Sequence, residues 1–145
     1  MEESSWNHNS IKTMITSAEE FIMLRQSERP EEYMRASCDE ASVDVWLDLV
    51  VRFPEMRSWV AQNKTIPLDV LAILASDPDP DIRASVAMKN KLSGSLFATL
   101  ASDTNESVRE RIAYNKKTPI AVLHQLANDS SELVSLPARE RIGSL

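Results

Sequence analysis

Glycine and cysteine are almost absent from this chain. Gly94 and Gly143 are the only glycines, and Cys38 is the only cysteine, among its 145 residues. The scarcity of glycine argues against a phosphate-cradling loop, a dinucleotide-binding turn or a hairpin-rich β fold. A single cysteine excludes an intramolecular disulfide and a cysteine-based zinc or iron–sulfur site. Helix is therefore the expected structure, and no cofactor or metal is predicted.

Long apolar runs and an excess of positive charge are also missing. No stretch approaches the length of a membrane span, and the acidic start at Met1-Glu2-Glu3 does not lead into the apolar region of a secretory signal. We therefore expect a cytoplasmic protein without membrane contact. The net charge of −6 lowers the expectation of nucleic-acid binding, because phosphate contacts usually require a basic surface.

What the chain does contain is a 26-residue repeat, in three adjoining copies at residues 56–81, 82–107 and 108–133. Each copy keeps the same apolar, arginine and aspartate positions: Val60, Val86 and Ile112; Leu74, Leu100 and Leu126; Arg57, Arg83 and Arg109; Asp77, Asp103 and Asp129. A fixed period of this length indicates a solenoid, in which each copy buries its apolar face against its neighbours. The pattern predicts two helices per copy, at about 79–89 and 93–102 in the middle one.

The flanks of the repeat are less regular. Ser17 and Glu20 form a capping box before a helix of about 18–27, Pro30 suits the start of a second helix, and a third is expected at about 42–52. Beyond Leu133 the pattern fails, because Pro137 falls inside the next first helix. We predict the following organisation: a disordered tail at 1–15 and one domain at 16–145, made of a cap with a degenerate repeat at 16–55, three full repeats at 56–133, and a C-terminal cap or tail at 134–145.

The residues Asp-Pro-Asp-Pro-Asp-Ile-Arg-x-x-Val-Ala at 77–87, and Val60-Ala61-Gln62-Asn63 followed by Pro67, resemble the consensus of leucine-rich-repeat-variant proteins. These belong with the HEAT-like α-solenoids. The resemblance covers about 44–133 and implies an all-α, right-handed α-solenoid of paired short helices, here with an N-terminal helical cap. Related proteins can carry an iron–sulfur cluster on a group of N-terminal cysteines. This chain lacks such a group of cysteines. A bacterial origin fits the repeat type, and an antitoxin-like or immunity-like role rests on analogy alone.

Several recurring polar residues are expected to be structural. We group Asp77 with Arg83, and Asp103 with Arg109, as rungs of a ladder of charge-assisted hydrogen bonds, the alternative being a row of anion-binding arginines. Asparagines near the ends of the first helices are expected to cap them in the left-handed conformation.

A set of lysines follows the first helices and predicts a basic edge: Lys64, Lys89, Lys91, Lys116 and Lys117. Cations are also favoured at helix C-termini by the helix dipole, so this arrangement does not require a ligand. Alternatively, the edge steers an acidic partner or contacts nucleic acid.

When the three copies are aligned, equivalent positions form columns, and the columns in which the copies carry different residues are the candidates for partner binding. These candidates are Trp59, Met88, Tyr114 and Arg111 on the first helices, and His124 and Gln125 on a second helix. Their composition is that of interface anchors. For Trp59 a second interpretation stays open, in which it packs at the seam with the cap helix. His8 lies in the predicted tail and His124 has no cysteine or carboxylate at ligand spacing, so we expect no catalytic residues and no enzyme.

The sequence therefore favours a non-catalytic protein-binding module. The alternative is a nucleic-acid-binding HEAT-like protein that uses the basic edge.

Overall fold

The structure, a computed structural model, describes residues 13–145 of the chain. These residues are mostly helical, which confirms the predicted all-α class. Their contacts divide them into two compact units, one up to Pro67 and the other from Leu68 to Leu145. The division falls inside the first full repeat, between its two helices.

The described part of the first unit contains four α-helices and a pair of short parallel strands: β1 (Met14–Ile15), α1 (Ala18–Gln26), α2 (Pro30–Cys38), β2 (Glu40–Ala41), α3 (Val43–Arg52) and α4 (Arg57–Gln62). Of the predicted tail, residues 1–12 lie outside the described residues. Its last two residues differ from the prediction, because they form β1 and Ile15 is buried.

Helix α1 begins where the capping box predicts. The Ser17 hydroxyl accepts a hydrogen bond from the Glu20 backbone N–H at 3.0 Å, and the Glu20 carboxylate accepts one from the Thr16 N–H at 2.7 Å. The helix then buries Phe21 against Trp46 of α3, with ring centroids 5.6 Å apart in an edge-to-face arrangement. Both rings are fully buried and form the centre of the first unit's core.

The second unit contains six α-helices: α5 (Leu68–Leu74), α6 (Pro80–Ala87), α7 (Gly94–Ala101), α8 (Glu106–Tyr114), α9 (Ile120–Leu126) and α10 (Glu132–Gly143). The helices predicted for the middle copy are confirmed as α6 and α7. Asp79 and Ser93 cap them, each accepting a backbone N–H two or three residues later.

From α6 onwards, the helices of the second unit contact the helix two places along the chain. Helix α6 packs against α8 and α8 against α10, while α7 packs against α9. The repeated apolar positions face these contacts, since Val86, Leu100 and Ile112 are all fully buried. Within this unit, α6, α8 and α10 therefore form one row of contacts, and α7 and α9 form another.

Helix α10 continues the row of first helices despite Pro137. The sequence left residues 134–145 open between a cap and a tail, and the structure makes most of them helical. Proline at this position removes one hydrogen bond, to the Leu133 carbonyl. The burial of Val134 and Ala138 against the preceding helices outweighs that loss.

Candidate functional site

A surface cleft of about 310 Å³ lies at the C-terminal ends of α6 and α8 in the second unit. Six residues line it: Met88, Asn90, Arg111, Tyr114, Asn115 and Lys116. They come from two successive copies of the repeat. The cleft is thus formed by the turns that follow two neighbouring first helices.

Asn115 forms the buried side of the cleft. Its side-chain Nδ2 donates to the carbonyls of Ala87 and Lys89, each at 2.8 Å, and its Oδ1 accepts from the Lys117 N–H at 2.9 Å. These bonds satisfy carbonyls at the end of α6 that have no partner within the helix. All the polar atoms of this side chain are therefore engaged within the protein.

A similar hydrogen-bond arrangement closes α2 in the first unit and α8 in the second unit. Asn63 donates to the carbonyls of Ala36 and Asp39. At the end of α8 the donor is Arg141, which reaches the carbonyls of Ala113 at 3.1 Å and Asn115 at 2.5 Å. In these three cases the donor lies 24 to 28 residues after the carbonyls it reaches, so α2, α6 and α8 are each closed by a side chain from a later helix.

The predicted conformation of these asparagines is wrong. Asn63 and Asn115 both have φ near −70° with extended ψ, and no residue of 13–145 has a positive φ. A left-handed asparagine would close its own helix. Here the asparagine instead caps the helix of the preceding copy, so its own backbone remains extended.

Two apolar side chains lie open on the cleft. Met88 is 58% exposed and Tyr114 is 61% exposed. The Arg111 guanidinium contacts the Met88 sulfur. Arg111 and Lys116 form no ion pair with any residue in the range 13–145. The cleft therefore combines exposed apolar surface with positive charge that no described carboxylate neutralises.

The other arginines of α6 and α8 are neutralised. Arg83 donates through Nε and Nη2 to the Asp103 carboxylate at 2.8 and 3.0 Å, and its Nη1 donates to the Asp77 carbonyl. Arg109 does the same with Asp129 and with the Asp103 carbonyl. These pairs link the turn before one first helix to the turn before the next.

The side-chain pairing thus differs from the sequence grouping of Asp77 with Arg83 and of Asp103 with Arg109. Each arginine reaches the carboxylate 20 residues later and the backbone carbonyl of the aspartate six residues earlier. The carboxylate of that earlier aspartate accepts the N–H two residues on and orders the turn. Hydrogen bonds from Arg109 hold the pKa of Asp129 below its usual range.

The predicted partner-binding residues fall into three places. Met88, Arg111 and Tyr114 come together at the cleft. His124 and Gln125 lie exposed on α9, where Gln125 donates to the Ser102 hydroxyl. Trp59 lies in the first unit, with the Arg25 guanidinium of α1 3.6 Å from its ring centroid, and is 36% exposed. This contact with α1 is the kind that the seam interpretation predicts.

The predicted basic edge is also divided. Lys64 is exposed in the first unit, whereas Lys91, Lys116 and Lys117 are exposed in the second. Lys89 is half-buried, and burial lowers the pKa of its ammonium group. Only Lys116 of this set lines the cleft.

The sequence analysis missed the structural roles of two residues, Asp129 and Arg141, although the 26-residue spacing contained a signal for both. Asp129 was aligned with Asp77 and Asp103 but was not assigned to the ladder. Arg141 stands 26 residues after Asn115, in the same column of the repeat. The apparent end of the repeat at Leu133 concealed it.

Within residues 13–145 no group of histidine, cysteine or acidic residues is arranged to hold a metal ion. Of the described helices, none is long and apolar enough to cross a bilayer. Comparisons of the chain with protein-family models, with curated proteins and with solved structures gave no match.

Proposed function

We propose that this chain is a HEAT-like α-solenoid that acts as a non-catalytic protein-binding module. The solenoid part of the proposal is supported by the 26-residue repeat and by the two rows of helix contacts in the second unit. Repeats of this kind cannot bury their apolar faces alone, and they offer extended surfaces for partners.

The observation that carries the binding role is the cleft of Met88, Arg111 and Tyr114. These three residues occupy columns that differ between copies, and they are brought together with large exposed fractions. Methionine, tyrosine and arginine are enriched at protein interfaces, and tyrosine and arginine are frequent among the residues that supply most of the binding energy. Residues in the repeating columns are instead buried or engaged in hydrogen bonds within the chain.

The test is affinity capture from cells that express the chain. We expect the wild-type protein to retain a partner and the double variant Met88→Ala/Tyr114→Ala to lose it, because the variant removes the exposed apolar surface of the cleft. The two substitutions remove no buried side chain, so the melting temperature should stay within about 2 °C of wild type.

The chain offers a matched control in Ile73→Ala/Leu136→Ala. These side chains are 47% and 53% exposed and do not line the cleft. The control variant should retain the partner. Equal capture by the cleft variant and the control would show that the cleft is not the binding site, and the absence of any specific partner would argue against a binding module.

A further inference from the structure

We infer that the cleft binds an acidic segment of a partner protein, in which an apolar side chain is flanked by carboxylates. This inference rests on the proposed function and specifies the chemistry of the partner. It depends on charge, on exposed apolar surface and on the way in which the helix ends beside the cleft are closed.

The charge of the cleft is opposite to that of the whole chain. The net charge is −6, yet the lining contains Arg111 and Lys116 and no carboxylate. Arg109, only two residues from Arg111, is held by a carboxylate through two hydrogen bonds. A partner carboxylate would give Arg111 the pairing that the chain itself supplies to Arg109.

Helix C-termini normally disfavour anions, because their unpaired carbonyls carry partial negative charge. In this cleft those carbonyls are covered. Asn115 donates to two carbonyls at the end of α6, and Arg141 donates to three at the end of α8. The donated hydrogen bonds offset the partial negative charge of these carbonyls, so a carboxylate meets less repulsion at both helix ends.

The apolar part of the lining defines the second requirement. Met88 and Tyr114 present a flexible thioether and an aromatic face, which adapt to aliphatic or aromatic side chains. A volume of about 310 Å³ is at the small end of the range for binding clefts and accommodates one or two side chains. Asn90, whose side-chain amide has no partner within residues 13–145, is available to a peptide backbone.

Nucleic acid fits these observations less well. A phosphate backbone is bound by an extended series of cations, and its affinity grows with their number. The cleft provides two, and the neighbouring Lys89 is half-buried with its pKa lowered by burial. A short segment with two carboxylates matches the number of available cations.

The test uses three fluorescent nine-residue peptides and fluorescence anisotropy. The first has phenylalanine and leucine at its centre with glutamates on both sides, the second has lysines in place of the glutamates, and the third has alanines in place of the central pair. We expect the first peptide to bind, and the second and third to bind at least about tenfold more weakly.

Two charge reversals give the matched comparison. Arg111→Glu should weaken binding of the first peptide at least about tenfold, since it places a like charge in the cleft. Arg139→Glu makes the same change of charge on α10, at a side chain that donates to the Ala127 carbonyl and does not line the cleft. It should change the affinity less than about twofold, with circular dichroism confirming that both variants are folded.

Equal binding of the acidic and basic peptides, or equal weakening by the two reversals, would overturn the inference. Binding of random duplex DNA at about 50 mM salt that is lost in Arg111→Glu would also overturn it, in favour of nucleic acid. If the cleft variants lose the cellular partner but no acidic peptide binds, the inference fails while the proposed function stands.

Discussion

Arg109 and Arg111 are two residues apart on the same helix and have opposite environments. The Arg109 side chain is 17% exposed and makes two hydrogen bonds to the Asp129 carboxylate. Arg111 is exposed, and its guanidinium contacts the Met88 sulfur without pairing with any carboxylate of residues 13–145. Two residues correspond to about 200° around an α-helix, so the two side chains leave α8 on opposite sides.

The difference shows how a repeat separates stability from binding. Arg109 occupies a column that every copy keeps, and its partners are the turns that join one copy to the next. Arg111 occupies a column that differs in every copy and has no carboxylate partner among the described residues. Substitutions along α8 and in the turn after it should therefore fall into two classes.

Ile112, next to Arg111 but fully buried, should give the largest effect on stability. Ile112→Ala removes apolar contacts between α8 and its neighbours and leaves a cavity. We expect the free energy of unfolding to fall by about 2–5 kcal/mol in urea titrations. A loss below about 1 kcal/mol would show that the rows of first helices are not packed as described.

Asn115→Ala should give the next largest loss in the free energy of unfolding. It leaves the carbonyls of Ala87 and Lys89 without their donor in a mostly buried turn, which costs about 1–3 kcal/mol. Asn90→Ala is the matched control, because Asn90 is an exposed asparagine of the same cleft. Its unfolding midpoint should not move, and equal losses for the two variants would contradict the closing role of Asn115.

Arg109→Ala compared with Arg111→Ala tests the contrast itself. Arg109→Ala removes hydrogen bonds to Asp129 and to the Asp103 carbonyl, and should cost about 1–3 kcal/mol, or roughly 3–10 °C in melting temperature. Arg111→Ala should stay within about 0.5 kcal/mol of wild type. Differential scanning calorimetry of both variants measures the two losses of stability. Similar losses would show that Arg109 and Arg111 do not differ in their contribution to stability.

A smaller effect is expected from pH. The pKa of Asp129 is lowered in the folded protein by hydrogen bonds from Arg109, relative to an ordinary value of 3.8. Its contribution to stability is therefore fully present well above that value and is lost as the pH falls through 3.8 and below. Arg109→Ala should flatten the fall in stability between about pH 5 and pH 2. An unchanged slope would mean that this pair does not contribute.

The sequence predicted the helices and their caps well, because apolar spacing, Ser17, Asp79 and Ser93 are local signals. The partners of the arginines were harder to infer. Which aspartate Arg83 contacts depends on how neighbouring copies are displaced from each other in space. The spacing of residues along the sequence does not show that displacement. The contact of Arg25 with Trp59 similarly joins two helices that are far apart in the chain.

The cleft was predicted only in part. The variable columns singled out Met88, Arg111 and Tyr114, since these residues break an otherwise regular repeat. Their meeting at one place depends on the turns after α6 and α8, which Asn115 and Arg141 order from neighbouring copies. Arg141 is recognised from the sequence only when the 26-residue spacing is followed beyond Pro137.

The most direct test of this account is partner capture by Arg109→Ala and Arg111→Ala, measured side by side at a temperature well below either melting transition. The account predicts that Arg109→Ala retains the partner despite its lower stability, and that Arg111→Ala loses it with its stability unchanged. Retention of the partner by Arg111→Ala, or its loss only in Arg109→Ala, would contradict the assignment of binding to the cleft.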